Sequence, residues 1–330
     1  MSEGLSRLPT SGDVKAAARR IHDHVGRTPV LQNEALNERA GANLFLKCEN
    51  LQLTGSFKIR GATNRLLQIP QDQRAAGVVA FSSGNHAQGV ARAARVLNMP
   101  ALIVMPSDAP RVKVEGVEAD GAEIRLYDRN SESREEIAAQ EAAARGAVLV
   151  PSFDDPFIIA GQGSVGVELG EQMRAAGQQL DHIICCAGGG GLITGLALGY
   201  SAFDADTKIW TAEPEQHDDW RRSLASGAPV SNAPGTRSIC DAILTPSPGE
   251  LTWALGKGRL TGGCAVDDDQ IRDAMRQAFR HLKLVVEPGG AAALACALHD
   301  LPAEARGKNV GIVLSGGNVD PAQFAGIISA

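Results

Sequence analysis

The chain has 330 residues, which at about 150 residues per domain predicts two domains and excludes a small peptide scaffold. Hydrophobic residues make up 44% and charged residues 21%, so neither a disordered chain nor a fibrous repeat fits. The net charge is -6 and no basic block occurs, which argues against nucleic acid or an anionic membrane as a partner. A small molecule is therefore the expected partner.

The first 20 residues and the cysteines bear on the cellular compartment. Segment 1–20 is polar and charged and lacks the apolar stretch of a secretory signal, which predicts a cytoplasmic protein. The six cysteines show no C-x-x-C spacing, so we expect reduced and mostly buried thiols.

Short apolar segments alternate with segments of helical periodicity along the chain. The predicted strands cover residues 42–46, 78–81, 101–105, 123–126, 147–150, 183–186, 208–211 and 310–314. The predicted helices include residues 85–97, 133–144, 163–175, 192–202 and 267–281. This alternation predicts an α/β fold with parallel sheets. Because residues 220–262 interrupt it with proline-rich, loop-like sequence, open doubly wound sheets are favoured over a (β/α)₈ barrel.

One uncharged stretch, residues 183–203, has the hydropathy of a membrane span. Four consecutive glycines inside it would break a spanning helix, so a strand, a turn and a helix are the better interpretation. Within that helix Gly191, Gly195 and Gly199 recur at a spacing of four. We expect this glycine stripe to let the helix lie close to a sheet.

Two glycine motifs are candidates for binding a cofactor. Residues 161–166 match G-x-G-x-x-G, but Asp155 and Pro156 indicate a helix start where a dinucleotide motif needs a strand, so helix packing is favoured over nicotinamide binding. Residues 188–191 are all glycine and lie between a predicted strand and a predicted helix, where free amides and the helix dipole can hold a phosphate. No Gly-Lys-Ser or Gly-Lys-Thr follows, which leaves a P-loop unsupported.

Three polar motifs follow predicted turns or strands. Lys58 in Ser56-Phe57-Lys58-Ile59-Arg60-Gly61-Ala62 lies near a helix start, where the dipole and burial would lower the pKa of an imine-forming amine; taken alone, a surface lysine is the simpler interpretation. Ser82-Ser83-Gly84-Asn85-His86 either caps a helix or seats a carboxylate. Ser315 in Ser315-Gly316-Gly317-Asn318 is either a turn residue or the partner of a heteroaromatic nitrogen.

Taken together, these motifs resemble the serine/threonine dehydratase and serine racemase family, pyridoxal-phosphate enzymes of the tryptophan-synthase-β fold. The resemblance runs from Gly26-Arg27-Thr28-Pro29 to about Asn318. It implies two open doubly wound, mainly parallel sheet domains with the active site in the cleft between them. Residues 1–52 and 151–330 would form the large cofactor-binding domain, and residues 53–150 the small domain. The resemblance also implies a homodimer and an amino-acid substrate.

The resemblance implies that pyridoxal 5'-phosphate is held by Phe57, Lys58, Asn85, Gly188, Gly189, Gly190, Gly191 and Ser315. Lys58 would form the Schiff base, Phe57 would lie beside the pyridine ring, and Asn85 would bind the ring hydroxyl. The glycines would cradle the phosphate, and Ser315 would pair with the pyridine nitrogen.

The resemblance also implies a substrate side of the cleft. The substrate carboxylate would be received by Ser82, Ser83, Asn85 and His86. Ser83 would face the cofactor opposite Lys58, the position from which a second proton transfer gives racemisation. Arg134 resembles a family arginine near the cleft, although a salt bridge on a helix surface is equally consistent with its sequence context. Thr245 lies in a substrate-side segment where Cys240-Asp241-Ala242 replaces the family's usual Ala-Asp-Gly.

The acidic string from Glu213 to Asp219 looks like the family's divalent-cation loop. The side chains of Glu213 and Asp219 and the main-chain carbonyl of His217 would bind Mg²⁺ or Ca²⁺, which prefer oxygen ligands. A solvated acidic loop is the alternative.

The sequence thus predicts a dehydratase, or ammonia-lyase, acting on a 3-hydroxy amino acid, with L-threonine or L-serine expected. Lys58 would remove the α-proton, and loss of the β-hydroxyl would lead to a 2-oxo acid and ammonia. Alternatives are serine racemase and a dehydratase of a bulkier substrate such as threo-3-hydroxyaspartate or phenylserine. A non-catalytic sensor of a phosphate ligand is the alternative from a different class.

Overall fold

A computed structural model describes residues 7–109 and 111–330, leaving aside the side chain of Val112. The strands of these residues are β1 (Val30–Leu31), β2 (Asn43–Cys48), β3 (Val78–Phe81), β4 (Ala101–Pro106), β5 (Glu123–Tyr127), β6 (Val148–Leu149), β7 (His182–Cys186), β8 (Lys208–Pro214), β9 (Gly262–Val266) and β10 (Asn309–Leu314).

The α-helices of the same residues are α1 (Ser11–Ile21), α2 (Glu34–Ala40), α3 (Lys58–Leu67), α4 (Asn85–Val96), α5 (Arg111–Glu118), α6 (Arg134–Arg145), α7 (Pro156–Gln162), α8 (Ser164–Ala175), α9 (Gly191–Tyr200), α10 (Asp219–Ser226), α11 (Glu250–Gly256), α12 (Asp268–Gln277), α13 (Pro288–His299) and α14 (Pro321–Ser329). Local sequence explains several of their starts. Thr10 and Asp267 each form a capping box, and Pro156, Pro288 and Pro321 lie in the first turn of their helices.

The strands form two open sheets. The larger has the order β1-β2-β10-β7-β8-β9, in which only the β1–β2 pair is antiparallel among the described strands. The smaller has the order β5-β4-β3-β6 and is parallel throughout. The prediction of an α/β fold with two open, mainly parallel sheets is therefore confirmed. The strands of the large sheet come from residues 30–48 and 182–314 and those of the small sheet from 78–149, and the domain limits of 1–52, 53–150 and 151–330 stay a prediction.

The glycine stripe of α9 packs against helices, so the expected contact with a sheet is wrong. A Cβ on Gly195 would lie 2.8 Å from the backbone nitrogen of Gly163, and one on Gly199 would lie 3.1 Å from that of Val167. Gly163 lies at the junction of α7 and α8 within the G-x-G-x-x-G motif, and Val167 directly follows that motif in α8. Helix packing is thus what this motif does, and the strand–turn–helix interpretation of residues 183–203 is confirmed.

Two further expectations need correction. Residues 220–262 are not only loop, because they contain most of α10 and all of α11, two short helices separated by a loop that contains prolines and glycines.

Cys264 on β9 and Cys296 on α13 form a disulfide with their Cα atoms 6.0 Å apart, although both were expected to be reduced. They are 32 residues apart and meet only because α13 packs on the large sheet. Cys48, Cys185, Cys186 and Cys240 are free and buried, as expected.

Parallel strands place their carboxyl ends at one edge of each sheet. The motif at 82–86 follows β3, the glycines at 188–191 follow β7, the acidic string begins at the end of β8, and Ser315 follows β10. The topology therefore gathers the predicted site residues at these edges. No helix in the described part of the chain is long and apolar enough to cross a membrane.

Candidate active site

Lys58 is held at the start of α3 by a backbone connection to the end of β10. The amide of Phe57 donates to the carbonyl of Ser315 at 3.1 Å, and the amide of Gly317 donates to the carbonyl of Gly55 at 2.9 Å. Ser56 and Gly316 form an antiparallel bridge between these hydrogen bonds. The tie fixes Lys58 relative to Ser315 although the two residues are far apart in sequence.

The Lys58 amine lies inside the protein and not on the surface. Its Nζ donates to the carbonyl of Ser152 at 2.9 Å and lies 5.2 Å from the centroid of the Phe57 ring. Burial lowers the pKa of Lys58 to about 8, against a smaller opposing effect of Cys186 and Glu287. A larger fraction of neutral amine is available at neutral pH than for an exposed lysine, as a nucleophile and base requires.

Ser315 is buried beside a thiol. Its Oγ accepts from the Sγ of Cys186 at 3.2 Å, because β7 and β10 are neighbours and Cys186 is the last residue of β7. A serine hydroxyl carries no charge, so it can pair with a neutral heteroaromatic nitrogen. This chemistry agrees with the role predicted for Ser315.

The glycine loop that follows β7 has bonded carbonyls and unpaired amides among the described residues. The carbonyl of Gly188 accepts from the indole Nε1 of Trp220 at 2.7 Å, and the carbonyl of Gly189 accepts from the hydroxyl of Thr252 at 2.6 Å. Within residues 7–109 and 111–330, no acceptor pairs with the amides of residues 188–190, and Gly191 begins α9. Unpaired amides at a helix N-terminus form an anion site.

Side chains would not fit in this glycine loop. Gly190 has φ +95°, and a Cβ there would lie 2.9 Å from Cε2 of Trp220. A Cβ on Gly191 would lie 3.0 Å from Cβ of Phe153, and one on Gly188 would lie 3.1 Å from Cα of Ile243. The glycines are therefore required by the close approach of these neighbours.

Residues 82–86 connect β3 to α4. The amide of Gly84 donates to Oγ of Ser82 at 3.1 Å, and Asn85 begins the helix with Gly84 as its N-cap. Both Ser82 and Ser83 are half-buried. Hydroxyls and helix amides thus lie together at the sheet edge, an arrangement that can seat a carboxylate.

His86 is a buried, neutral imidazole. Its Nε2 lies 3.0 Å from the carbonyl of Val150, which can only accept, so Nε2 carries the hydrogen. Burial and then the nearby Lys58 lower the pKa of His86 to about 3. Its Nδ1 is buried and has no partner among the described residues. His86 can therefore offer an acceptor but no positive charge to a ligand.

Arg134 forms the helix-surface salt bridge that its sequence context suggested, and its role at the substrate cleft stays a prediction. It pairs with Glu135 at 2.8 Å, and its guanidinium lies 5.4 Å from the centroid of the Phe81 ring. Phe81 directly precedes Ser82, so this arginine lies beside the substrate-side loop while its side chain stays 49% exposed.

Thr245 has a buried hydroxyl without a partner in the described chain, and its carbonyl accepts from the side-chain amide of Asn232 at 2.9 Å.

The acidic string contains three buried carboxylates, of which Asp218 pairs with Arg221 and Arg222, whereas Glu213 and Asp219 form no salt bridge among the described residues. Burial and then the charge of Asp219 raise the pKa of Glu213 well above its usual value, and burial raises the pKa of Asp219 to about 7. One oxygen of Asp219, Oδ2, is buried and lacks a partner in the described residues. Two such carboxylates suit a cation. No cluster of three or more His, Cys, Asp or Glu side chains that could hold a metal occurs among the described residues, and the predicted site uses two carboxylates and a carbonyl.

The sequence analysis missed three residues of the site. Cys186 contacts Ser315, Asn318 donates to Oδ1 of Asn85 at 2.8 Å, and Glu287 accepts from Nδ2 of Asn85 at 2.6 Å. Glu287 has the clearest sequence signal, because a charged residue follows Leu284-Val285-Val286 and precedes an apolar helix. A carboxylate in such a context is buried and paired with a polar partner.

The fold and site define a class of protein. Two doubly wound sheets carry a half-buried lysine with a lowered pKa, a neutral serine and a glycine loop with free amides at their carboxyl edges. These groups together fit a cofactor that has a carbonyl, a heteroaromatic nitrogen and a phosphate.

Comparison with known proteins agrees with this class. The model of the family "Pyridoxal-phosphate dependent enzyme" matches residues 21–316, and the chain belongs to that family. An L-threo-3-hydroxyaspartate ammonia-lyase of a Pseudomonas species is 43% identical over 323 residues, covering 98% of this chain and 99% of the relative. Serine racemase of Schizosaccharomyces pombe is 37% identical over the full length of both chains. The structure of maize serine racemase superimposes with a TM-score of 0.92 at 38% identity, covering 98% of each chain.

The comparisons confirm the predicted family, fold and cofactor. The chain is an enzyme that uses pyridoxal phosphate, and its relatives include both activities that the resemblance implied. The alternative of a non-catalytic phosphate sensor receives no support from these relatives.

Proposed function

We propose that this chain is a dehydratase, or ammonia-lyase, of 3-hydroxy amino acids, and that L-threo-3-hydroxyaspartate is a substrate in addition to L-serine and L-threonine. One observation carries the reaction type. The amine of Lys58 is buried, has a lowered pKa and lies on the same sheet edges as Ser315 and the free amides of residues 188–191. When bound, pyridoxal phosphate supplies a carbonyl that captures amines and a ring that delocalises negative charge.

Each step assigned to the protein follows from its own residues. The amides and hydroxyls of residues 82–86 bind the substrate carboxylate and orient the α-carbon. The amine of Lys58 then removes the α-proton, and the substrate loses its β-hydroxyl. The uncharged hydroxyl of Ser315 leaves the ring nitrogen neutral, which limits charge storage on the ring and favours prompt elimination. A 2-oxo acid and ammonia are the products.

Replacing Lys58 tests this assignment. Lys58→Ala should lower kcat by at least about 1,000-fold, because the group that exchanges the proton is gone. Release of 2-oxo acid measures the activity, and borohydride reduction followed by peptide mass analysis locates the cofactor adduct. Lys283→Ala, a lysine outside the site, serves as the control. Normal activity of Lys58→Ala, or an adduct on a different lysine, would overturn the proposal.

Arg134 supports a second carboxylate on the substrate. Its guanidinium lies over Phe81, next to the loop that receives the first carboxylate, and the hydroxyaspartate ammonia-lyase of the Pseudomonas species is 43% identical. Arg134→Gln should lower kcat/KM about tenfold for L-threo-3-hydroxyaspartate and less than about twofold for L-serine.

A matched control for Arg134 is available on the same helix. Arg145→Gln removes an arginine at the far end of α6 that pairs with Glu141 and Glu123. It should leave both substrates unaffected. Equal losses on the two substrates in Arg134→Gln, or a similar loss in Arg145→Gln, would show that Arg134 does not select the side chain.

Serine racemisation is the second candidate activity, and Ser83 supports it. No group among the described residues hydrogen-bonds the Ser83 hydroxyl, which leaves it free to return a proton to the substrate. Chiral chromatography after incubation with L-serine detects D-serine, and Ser83→Ala should abolish that product while elimination persists. D-Serine from Ser83→Ala at the normal rate would exclude this role.

We propose three further features. Mg²⁺ or Ca²⁺ would be bound by Glu213, Asp219 and the carbonyl of His217, where the orphaned Oδ2 of Asp219 suits a cation. A homodimer would cover exposed apolar side chains such as Leu51 and Val285, whose segments are joined by a hydrogen bond from the side-chain amide of Asn50 to the Val285 carbonyl. Sedimentation velocity tests the dimer. A cytoplasmic location stays a prediction.

A further inference from the structure

A chain of hydrogen bonds surrounds Asn85. The Nδ2 of Asn318 donates to the carbonyl of Thr54 at 2.7 Å and to Oδ1 of Asn85 at 2.8 Å, and Oε1 of Gln88 is a third acceptor, 3.0 Å from the same nitrogen. The Nδ2 of Asn85 donates to Oε1 of Glu287 at 2.6 Å. Asn85 and Glu287 are both buried, so water does not compete for these bonds.

The direction of every bond in this chain is fixed from one end. A backbone carbonyl can only accept, so the Asn318 group that faces Thr54 is the NH₂. That NH₂ also faces Asn85, and the Asn85 atom next to it must therefore be the carbonyl oxygen. The NH₂ of Asn85 consequently points to Glu287, whose carboxyl oxygen accepts.

Counting hydrogens shows what Asn85 can still do. Its NH₂ carries two hydrogens, and Glu287 accepts one of them. Its carbonyl oxygen is engaged by Asn318. The remaining N–H is the donor that Asn85 can offer to a ligand in the cleft.

We propose that Glu287 and Asn318 are positioning residues that hold the Asn85 amide so that its remaining N–H donates to the ring oxygen of the bound cofactor. A donor in that position stabilises the ring oxygen as an anion. The inference rests on the proposed placement of the cofactor against Asn85.

The surroundings of Glu287 agree with this role. Burial raises the pKa of Glu287 to about 8, which keeps the carboxyl largely neutral at neutral pH and adds little repulsion beside an anionic oxygen. A Cβ on Gly316 would overlap Oε1 of Glu287 and lie 3.2 Å from Nδ2 of Asn85, so the residue beside the pair must be a glycine. The amide of Glu287 also donates to the carbonyl of Gly316 at 3.0 Å, which fixes the start of α13 at this place.

Two substitutions of Glu287 separate positioning from packing. Glu287→Gln keeps an oxygen that accepts from Asn85, whereas Glu287→Leu has similar size and no acceptor. Glu287→Leu should weaken cofactor binding about tenfold and shift the absorption maximum of the bound cofactor, and Glu287→Gln should stay within about twofold with an unchanged maximum. Equilibrium dialysis and absorption spectra provide the two measurements, and thermal melting of the cofactor-free protein reports on folding.

A third variant changes Asn318, at the opposite end of this series of hydrogen bonds from Glu287. Asn318→Asp replaces the NH₂ by an oxygen that repels both the Thr54 carbonyl and Oδ1 of Asn85. The Asn85 amide should then rotate, and we expect at least the tenfold loss and the spectral shift of Glu287→Leu. Gln277→Leu is the control, because Gln277 is a buried amide on α12 that bonds only Asp273 among the described residues. If Glu287→Leu fails to fold, Asn318→Asp decides the question.

Asn85→Ala distinguishes failure of the inference from failure of the proposed site. Unchanged cofactor binding and spectrum in Asn85→Ala would show that the cofactor does not contact Asn85, and the placement itself would be wrong. If Asn85→Ala changes both and neither Glu287→Leu nor Asn318→Asp does, only the inference is overturned. Equal losses in Glu287→Gln and Glu287→Leu, in step with lower melting temperatures, would also overturn it in favour of a structural role.

Discussion

Two neighbouring loops at the same sheet edge have opposite chemistry. Residues 188–191 follow β7 and offer amides without side chains, whereas residues 213–219 extend from β8 and bury three carboxylates. The first loop suits an anion and the second a cation. Because the two strands are paired and parallel, the difference comes from the side chains and not from the position in the fold.

Trp220 connects the two loops. Its backbone amide donates to Oε1 of Glu213 at 2.8 Å, and its indole Nε1 donates to the carbonyl of Gly188 at 2.7 Å. The bond to Trp220 engages a carbonyl of the glycine loop, whose amides at 188–190 have no acceptor among the described residues. The acidic loop can therefore support the glycine loop without touching the cofactor.

The largest effect should come from giving the glycine loop a side chain. Gly190→Ala forces a Cβ against Trp220 at a φ of +95°, and we expect cofactor affinity to fall at least about 100-fold. Gly227→Ala is the matched control, since Gly227 also has a positive φ of +78° but open space around its Cβ. Gly227→Ala should cost only about 1 kcal/mol of unfolding free energy and leave cofactor affinity unchanged. Equal affinity in both variants would remove the argument for a cradle.

The acidic loop should respond to cations and not to phosphate. Mg²⁺ or Ca²⁺ should raise the melting temperature of the protein by several degrees, because a cation relieves the repulsion between Glu213 and Asp219. The variant carrying Glu213→Gln and Asp219→Asn should lose that rise, while Glu215→Gln, an exposed acid of the same loop, should keep it. No shift with either ion in the unmodified protein would favour a loop without a metal.

The smallest effect should come from the tryptophan between the loops. Trp220→Phe keeps an aromatic ring, although a smaller one, and the backbone bond to Glu213. It removes the bond to Gly188, and cofactor affinity should fall about threefold to tenfold. Trp253→Phe, on the ring packed 6.0 Å from Trp220, removes an indole N–H that bonds neither loop and should have no effect. If both variants have the same cofactor affinity, the Trp220 bond does not couple the two loops, and the loops differ only in the charge of the ligand that each suits.

The sequence predicted the elements that have local signals. Strands such as β3 and β7, and the helix starts behind the polar motifs, follow from apolar runs, caps and glycines, and these predictions were confirmed. The edge strands β1 and β9 were missed, because Val30–Leu31 is too short for a pattern and Gly262–Val266 begins with two glycines. A two-residue strand exists only through its pairing with β2.

Among the site residues, those in compact motifs could be predicted and those brought in from elsewhere could not. Lys58 and Ser315 stand in recognisable strings, but the burial that lowers the pKa of Lys58 is contributed by distant segments, including the Ser152 carbonyl. Glu287 is 202 residues from Asn85, and no spacing rule connects them. The disulfide between Cys264 and Cys296 was missed for the same reason.

The sequence by itself determined the α/β class, the order of the strands and helices along the chain, and the chemical groups available for a phosphate, a carboxylate and an amine. These depend on local periodicity and on residue type, which the chain carries in short segments. The tertiary structure alone decided that Glu287 contacts Asn85 and that the Trp220 indole binds the Gly188 carbonyl. It also decided that the glycine stripe of α9 packs against a helix. Those contacts join residues far apart in the chain, and packing of both sheets with their helices brings them within hydrogen-bond distance.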